Sequence, residues 1–466
     1  MNHAEYSSTS KLLAVKLVHF ALNIALFYIA FLLFRYEGLP QAKEAGFRYN
    51  YYVTAGYGVL LLLFARTYNS YLYGYSRVWS LISAQFLTQL ISVAIVYVIV
   101  CVSWNHLRNP LAFVCMLAGD LLLDIVWSYL GTLYYTKLNP ARSTILVYRN
   151  SLDRKRFGSI TGKPAERMYK ITRELKYDGS FDDLRPQLDA YEAVFVAGVN
   201  SVCRNGILKY CKERGIPGFF LPHIGDVIMQ EAKHIQSFDS PVLFVNRKTL
   251  TPEYALAKRL FDIIASALGL IVASPVMLLT ALAIKLYDKG PVIYRQVRLT
   301  KGAREFEMLK FRSMRVDAEK DGVARLSSGD SDRRITPVGR LARRLRIDEL
   351  PQLFNILKGD MSVVGPRPER PEIAEQYYKT MPDFKLRLQV KAGLTGYAQI
   401  YGKYNTDPYE KLEFDLLYIN RMSALTDLRL TFATVGLLFT KSSTEGIEEG
   451  HVTALNPEKD IEEDDK

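Results

Sequence analysis

Two adjacent carboxylates, Asp348 and Glu349, open the run Asp348-Glu349-Leu350-Pro351-Gln352-Leu353, and arginines lead into them: Arg340, Arg343, Arg344 and Arg346, with Arg333 and Arg334 upstream. A guanidinium grips two phosphate oxygens at once and stabilises charge on a transferring phosphoryl group. Paired carboxylates can hold Mg²⁺, and one of them can attack phosphorus to give an acyl phosphate. The pattern therefore suits phosphate chemistry. A plainer reading stands beside it. Leu350, Leu353, Phe354 and Leu357 have helical spacing and Gly359 suits a helix end, so Asp348 falls near an N-cap, where an acidic residue often only caps.

Three further motifs surround this pair. Pro366-Arg367-Pro368 restricts the backbone on both sides of Arg367 and presents one guanidinium with little freedom, for an anion or merely at a proline-rich surface. Lys310-Phe311-Arg312-Ser313-Met314 alternates like a strand with a basic face, placing Lys310 and Arg312 toward phosphate or a membrane surface. Gly393-Leu394-Thr395-Gly396 reads as a glycine turn whose backbone N–H groups can approach a ligand.

These residues need a platform, and an apolar segment precedes them. Leu260 to Leu286 is long enough to cross a bilayer as one helix, but Ser274-Pro275 interrupts it near the middle. Lys258 and Arg259 flank one end, and Lys285, Lys289, Arg295 and Arg298 the other. Basic residues at both ends suit a helix that enters and leaves on the same face; a kinked spanning helix stays open. Leu428–Phe439 is too short to span and reads as an interfacial or buried helix.

Upstream, four segments near 12–34, 51–65, 86–104 and 111–135 are candidate spans, the second the least apolar, with Tyr and Trp at their ends. The bias of Lys and Arg favours both ends of this region in the cytoplasm, and the first segment lacks the cleavage site of a signal peptide. From about residue 141 a small α/β domain is expected. Thr144–Tyr148 and Ala193–Ala197 read as buried parallel strands, yet the turn after the first lacks the G-x-G-x-x-G of a dinucleotide site. Half of the 466 residues are hydrophobic (49%), 23% are charged, and the formal charge is +12. That charge suits an anionic partner, but it lies beside membrane segments and no nucleic-acid module is recognisable. The four cysteines show no metal or disulfide spacing.

In this order and spacing, the motifs from Lys258 to Thr453 resemble the bacterial sugar transferase family, the monotopic polyprenyl-phosphate hexose-1-phosphate transferases. The carrying residues are Lys258-Arg259-Leu260-Phe261-Asp262, Ser274-Pro275, Lys310 to Met314, Asp348 to Gln352, Gly359-Asp360-Met361-Ser362, Gly365 to Pro368, Gly393 to Gly396 and Gly450-His451-Val452-Thr453. The resemblance implies a multi-domain membrane protein. Its parts would be a transmembrane four-helix bundle (1–138), a Rossmann-like α/β domain without the dinucleotide fingerprint (139–250) and an α/β phosphoglycosyl transferase domain with a re-entrant helix (251–455); by its composition the acidic stretch 456–466 reads as a disordered tail. The resemblance also implies that Asp348 attacks the β-phosphate of a UDP-hexose, releasing UMP, and that the phosphosugar passes to undecaprenyl phosphate at the cytoplasmic face of the bacterial inner membrane. Glucose and galactose are the leading hexoses. Glu349 would share Mg²⁺ with Asp348, Arg343 and Arg367 would contact phosphate, and Ser274, Pro275 and Asp262 would shape the re-entrant helix. The larger subgroup initiates exopolysaccharide or capsule synthesis, and dimerisation is plausible by resemblance. Where many relatives carry arginine, this chain has Lys403, which cannot grip two oxygens as a fork. Two other classes remain open on the residues alone: a membrane-anchored scaffold, and a glycosyltransferase that moves sugar without phosphate.

Overall fold

The computed structural model describes residues 3–36, 48–74, 76, 78–107, 109–160, 168–235, 240–246, 250–315, 332, 334–402 and 407–437. Lys403, Arg333, the Gly450–Thr453 motif and the acidic tail lie outside the described residues. The chain divides into two compact units, Met1–Leu221 and Pro222–Lys466.

The first unit opens with helices α1 (His3–Tyr36), α2 (Arg48–Thr67), α3 (Val78–Ser103) and α4 (Leu111–Leu138). Their apolar residues meet in an aromatic cluster in which Phe27 stacks on Tyr57 at 4.0 Å and Phe34 lies 4.7 Å from Phe113. Among the described residues four helices are long and apolar enough to cross a membrane, over 12–34, 78–103, 111–138 and 252–287. Helix α2 has the length but not the hydropathy. Helix α3 starts about two turns before the expected 86, because Ser80, Ser83 and Gln85 are absorbed into it: Gln85 is buried and Ser83 bonds back to the carbonyl of Trp79.

Beyond the bundle, β1 (Arg142–Tyr148), α5 (Ser151–Ile160), β2 (Tyr169–Lys176), α6 (Phe181–Leu188), β3 (Ala193–Ala197), α7 (Ser201–Arg214) and β4 (Gly218–Phe220) form a parallel sheet in the order β2-β1-β3-β4. The two strands read from the sequence lie side by side, Thr144 opposite Ala193 through Tyr148 opposite Ala197. Both are apolar without alternation, as strands covered on both faces must be.

The second unit comprises α8 (Ile224–Met229), the hairpin β5 (Lys233–Ile235) and β6 (Val242–Phe244), α9 (Pro252–Asp288), the hairpin β7 (Ile293–Leu299) and β8 (Glu305–Phe311), α10 (Pro337–Arg344), α11 (Gln352–Lys358), β9 (Ser362–Val364), α12 (Pro371–Thr380), β10 (Gly393–Thr395), α13 (Tyr397–Tyr401), α14 (Pro408–Asn420) and α15 (Ala424–Leu437). The division at Leu221 falls ahead of the expected boundary at 250. Ile224 and Val227 join the core of the second unit, and Asn420 Nδ2 donates to the carbonyl of Val227 at 2.7 Å. Helix α9 runs 37 residues without interruption through Pro275 and leaves most of its apolar side chains uncovered.

Candidate active site

The site grows out of the β7–β8 hairpin and the segments that follow it. Strand β8 delivers Lys310 near its end, and Ser313 lies just beyond. Helix α10 is capped by Thr336, whose Oγ1 accepts from the N–H of Gly339 at 2.9 Å. Gly339 permits a close approach: a Cβ there would stand 2.0 Å from the carbonyl oxygen of Ser313. Helix α10 is thereby pressed against the end of the hairpin, and its Arg343 donates through Nε to Ser313 Oγ at 2.8 Å. The chain then turns through Arg346, at a left-handed φ of 53°, into the 3₁₀ turn Ile347–Glu349 that carries both carboxylates.

Helix α11 holds that turn in register. Its buried Asn355 accepts from the N–H of Leu309 at 2.9 Å and donates to the carbonyl of Glu307 at 2.7 Å, joining the helix to β8. Gly359 ends the helix in the left-handed conformation, and Arg259 of α9 donates to the carbonyls of Ile356 and Leu357, both at 2.7 Å. The chain then passes through β9 to Gly365-Pro366-Arg367. At the paired β10, a Cβ on Gly393 would stand 2.1 Å from the N of Gly365, so these backbones meet as only glycine allows.

Around the carboxylates the charges are unequal. Glu349 accepts from Arg367 at 2.8 Å, with Arg346 at 3.8 Å and Lys310 at 4.0 Å. Burial raises its pKa, but Arg367, Lys310 and Arg346 outweigh burial and hold it below the usual range. Asp348 is buried and makes no hydrogen bond or ion pair among the described residues. Burial first, then the charge of Glu349, push it up to about 6, against the pull of Lys310, Arg343 and Arg367. Burial in turn lowers Lys310 to about 8. The outcome is one carboxylate locked in ion pairs and a neighbour within reach of three cations but bonded to none.

Of the residues singled out from sequence, Lys310, Arg343, Asp348, Glu349 and Arg367 come together here. The guanidinium of Arg312 packs against Gly290 at the start of the hairpin. Asp348 is not a cap. Helix α11 starts after it, with Pro351 at the N-cap, and the 3₁₀ turn intervenes because Arg346 breaks the run from α10. The Lys258, Arg259 and Asp262 motif clamps α9 to the domain. Lys258 Nζ donates to Asp427 Oδ2 at 2.8 Å and to the carbonyl of Val364 at 3.1 Å; Asp262 Oδ1 accepts from Ser362 Oγ and the N–H of Val363, both at 2.9 Å. Ser274 bonds its own helix at the carbonyl of Ile271, and Pro275 lies inside the continuous α9.

A second charged group escapes sequence reasoning. Behind Arg367, the buried Arg387 donates to the carbonyl of Arg367 at 2.7 Å and pairs with Asp415 at 2.8 Å. Arg298 donates to the carbonyl of Pro368 at 3.0 Å, and Glu369 lies 3.6 Å from Arg387 and 3.7 Å from Lys411. These contacts brace the Pro366-Arg367-Pro368 loop. Arg298 was visible as a basic residue flanking the apolar segment and Glu369 as the neighbour of that motif; Arg387 and Asp415 lie on separate elements with no pattern linking them.

Fold and site define a membrane-associated protein whose second unit presents a carboxylate among guanidinium and ammonium groups, the equipment of phosphoryl-group chemistry. Residues 253–441 match the model of the bacterial sugar transferase family. The chain is 42% identical over 193 residues to a UDP-N-acetylgalactosamine-undecaprenyl-phosphate N-acetylgalactosaminephosphotransferase of Aeromonas hydrophila, covering 41% of this chain and 45% of that one. It is 45% identical over 203 residues to a UDP-glucose:undecaprenyl-phosphate glucose-1-phosphate transferase of Klebsiella pneumoniae, 42% of each chain. Against a transferase of the same name from Caulobacter vibrioides it is 41% identical over 190 residues, 40% of this chain and 70% of the relative. The chain belongs to the bacterial sugar transferase family. It spans less than half the length of the first two relatives.

Proposed function

We propose that the second unit transfers a hexose 1-phosphate from a UDP-sugar to undecaprenyl phosphate through a phosphosugar–Asp348 intermediate. The observation that carries this reading is Asp348 itself: a buried carboxylate with no hydrogen bond among the described residues, beside Lys310, Arg343 and Arg367. A capping or ion-pair role would have occupied its oxygens. The names of the relatives, with their UDP-sugars and undecaprenyl phosphate, support the donor and acceptor. In the first step Asp348 Oδ attacks the β-phosphorus, the bond from that phosphorus to the bridging oxygen breaks, and UMP leaves with the bond's electron pair. In the second, a phosphate oxygen of the acceptor attacks the same phosphorus and Asp348 departs as carboxylate. Lys310, Arg343 and Arg367 stabilise the phosphoryl oxygens; Glu349 holds Arg367 in place.

The residues fit a Mg²⁺ that enters with the donor. The described residues hold no cluster of three metal-ligating side chains, but Mg²⁺ commonly takes one or two carboxylates and completes its shell with phosphate oxygens and water. The unengaged oxygens of Asp348, with Glu349 adjacent, would hold it, and it would supply charge neutralisation to the diphosphate.

Helix α9 is the second part of the proposal. At 37 residues it measures about 55 Å, well beyond the ~30 Å hydrocarbon core. The Lys258, Arg259 and Asp262 clamp anchors its first turns to the domain, and basic residues also follow its far end. We propose that in the bilayer it breaks at Pro275 and returns, seating the site at the cytoplasmic leaflet of the inner membrane. Exposed Leu341, Leu345 and Phe354 around the site supply an apolar surface for the acceptor's chain. Impermeant thiol labelling of single cysteines at Glu253 and Tyr287 tests this: labelling from one side is expected, and labelling from opposite sides would mean a span. For the chemistry, the experiment is nucleotide release from the purified protein with undecaprenyl phosphate, Mg²⁺ and a panel of UDP-sugars. UMP release with one sugar is expected; UDP release would sink phosphosugar transfer.

A further inference from the structure

Polar side chains are the costliest groups to bury in hydrocarbon, and most costly at its centre. The bundle of the first unit places a set of them there. Asn23, Tyr57, Gln89 and Asp124 each lie within two residues of the middle of their helices or spans, 12–34, 48–67, 78–103 and 111–138. His19 Nε2 stands 3.2 Å from Asp124 Oδ1, and Gln89 Nε2 donates to the same oxygen at 3.0 Å. His19 Nδ1 meets the hydroxyl of Tyr71 at 3.1 Å.

The layer leaves oxygens unmet. Asp120, one helical turn before Asp124 on the same face, is 0% exposed, and neither of its carboxylate oxygens has a partner. Asp124 Oδ2 and Gln89 Oε1 are equally buried and unpartnered. Tyr57 of α2 is fully buried and its hydroxyl makes no hydrogen bond. A single proton on Asp120 can bridge two of these acceptors and strands the others. Several oxygen acceptors with no free nitrogen or sulfur ligand suit a hard cation. Asp124 already meets His19 and Gln89 at Oδ1, which leaves Asp120 as the carboxylate of the layer with no donor on either oxygen and suits a single positive charge. Among the described residues no group of three or more His, Cys, Asp and Glu side chains is placed to hold a metal ion, His19 with the two aspartates included, so the layer is not a multivalent centre.

We propose that the bundle binds one hard monovalent cation of the sodium type at the bilayer midplane, ligated by oxygens of Asp120, Asp124 and Gln89 with Tyr57 alongside. The inference rests on the bundle spanning a membrane and is independent of the transfer reaction. Nothing in the second unit takes part.

The test uses the full chain in lipid nanodiscs. Radioactive sodium binding is measured directly, and thermal unfolding is followed as sodium chloride replaces choline chloride at constant ionic strength. One bound sodium per chain, a transition that rises with sodium, and loss of both in Asp120→Asn are the expected results. Gln89→Leu, which keeps both carboxylates, should weaken sodium binding about tenfold or more, and reads the site even if Asp120→Asn folds poorly. No sodium binding by the wild type would overturn the proposal. So would a transition that responds to pH alone, or a sodium response unchanged in both variants.

Discussion

On the proposed mechanism, the carboxylate that attacks phosphorus has to be ionised, yet not neutralised by a fixed ion pair. Asp348 and Glu349 divide those demands: Glu349 takes the ion pairs with Arg367, Arg346 and Lys310, and Asp348 keeps its oxygens unengaged. Because burial and Glu349 raise Asp348 to about 6, its ionised fraction falls tenfold for each pH unit below that value. First-step rates should therefore drop along an acidic limb near pH 6. In Glu349→Gln the repelling charge is gone and Arg367 is released toward Asp348, so that limb should move to lower pH whatever happens to the maximal rate. A limb that stays or moves up would mean that another group titrates. With Asp348 as the proposed nucleophile, Asp348→Asn should lower UMP release by about three orders of magnitude or more. Its stability should move the other way. A carboxyl whose folded pKa is raised destabilises the fold once the pH passes its unfolded value, fully so above the folded one; at neutral pH the neutral amide removes that cost. Thermal unfolding of Asp348→Asn should thus come at or above the wild-type temperature, whereas a capping aspartate would have lowered it on removal.

At the scale of elements, the candidate site was legible where its charged groups lie in contiguous motifs and obscure where it depends on distant residues meeting. Asp348, Glu349, Arg343, Arg367 and Lys310 could be picked out because each sits in a short motif of restricted backbone or dense charge. Their local structure was less readable: an N-cap was expected at Asp348, but the left-handed Arg346 inserts a 3₁₀ turn, a choice of backbone that no side-chain period announces. Arg387, Asp415 and Asn355 left no trace for a different reason, since their partners come from other elements. Asn355 carries the clearest consequence. It satisfies the N–H of Leu309 and the carbonyl of Glu307 together, so Asn355→Leu leaves two part-buried backbone groups without that partner. The cost should be about 1–2 kcal/mol, read as a lowered unfolding transition with activity lost in step as the 3₁₀ turn loosens from β8. Full stability in that variant would mean that the helix is held by packing alone.

For the molecule as a whole, the expected boundary at residue 250 and the observed one at Leu221 make different claims about what the second unit needs. Hydropathy shows the start of α9 plainly, so a boundary drawn from sequence gravitates to it. The short α8 is too brief to register by period, yet it is built into the core through Ile224 and Val227. The N–H of Ile224 donates to the hydroxyl of Tyr409 at 3.2 Å, and the carbonyl of Val227 accepts from Asn420 at 2.7 Å. Both partners lie on α14, which also carries Asp415 and Lys411, the charges that brace the Arg367 loop. All the charged groups of the site itself lie between Lys310 and Arg367. A chain begun at Pro222 should accordingly fold in detergent or lipid and release UMP at a rate within about threefold of the full protein. A chain begun at Thr251 lacks α8 and exposes the apolar face it covered on α14. Uncovering two aliphatic side chains' worth of core costs several kcal/mol, so this shorter chain should unfold at a distinctly lower temperature and lose activity through a loosened Arg367. Equal stability of the two truncated chains would place the boundary at 250 after all.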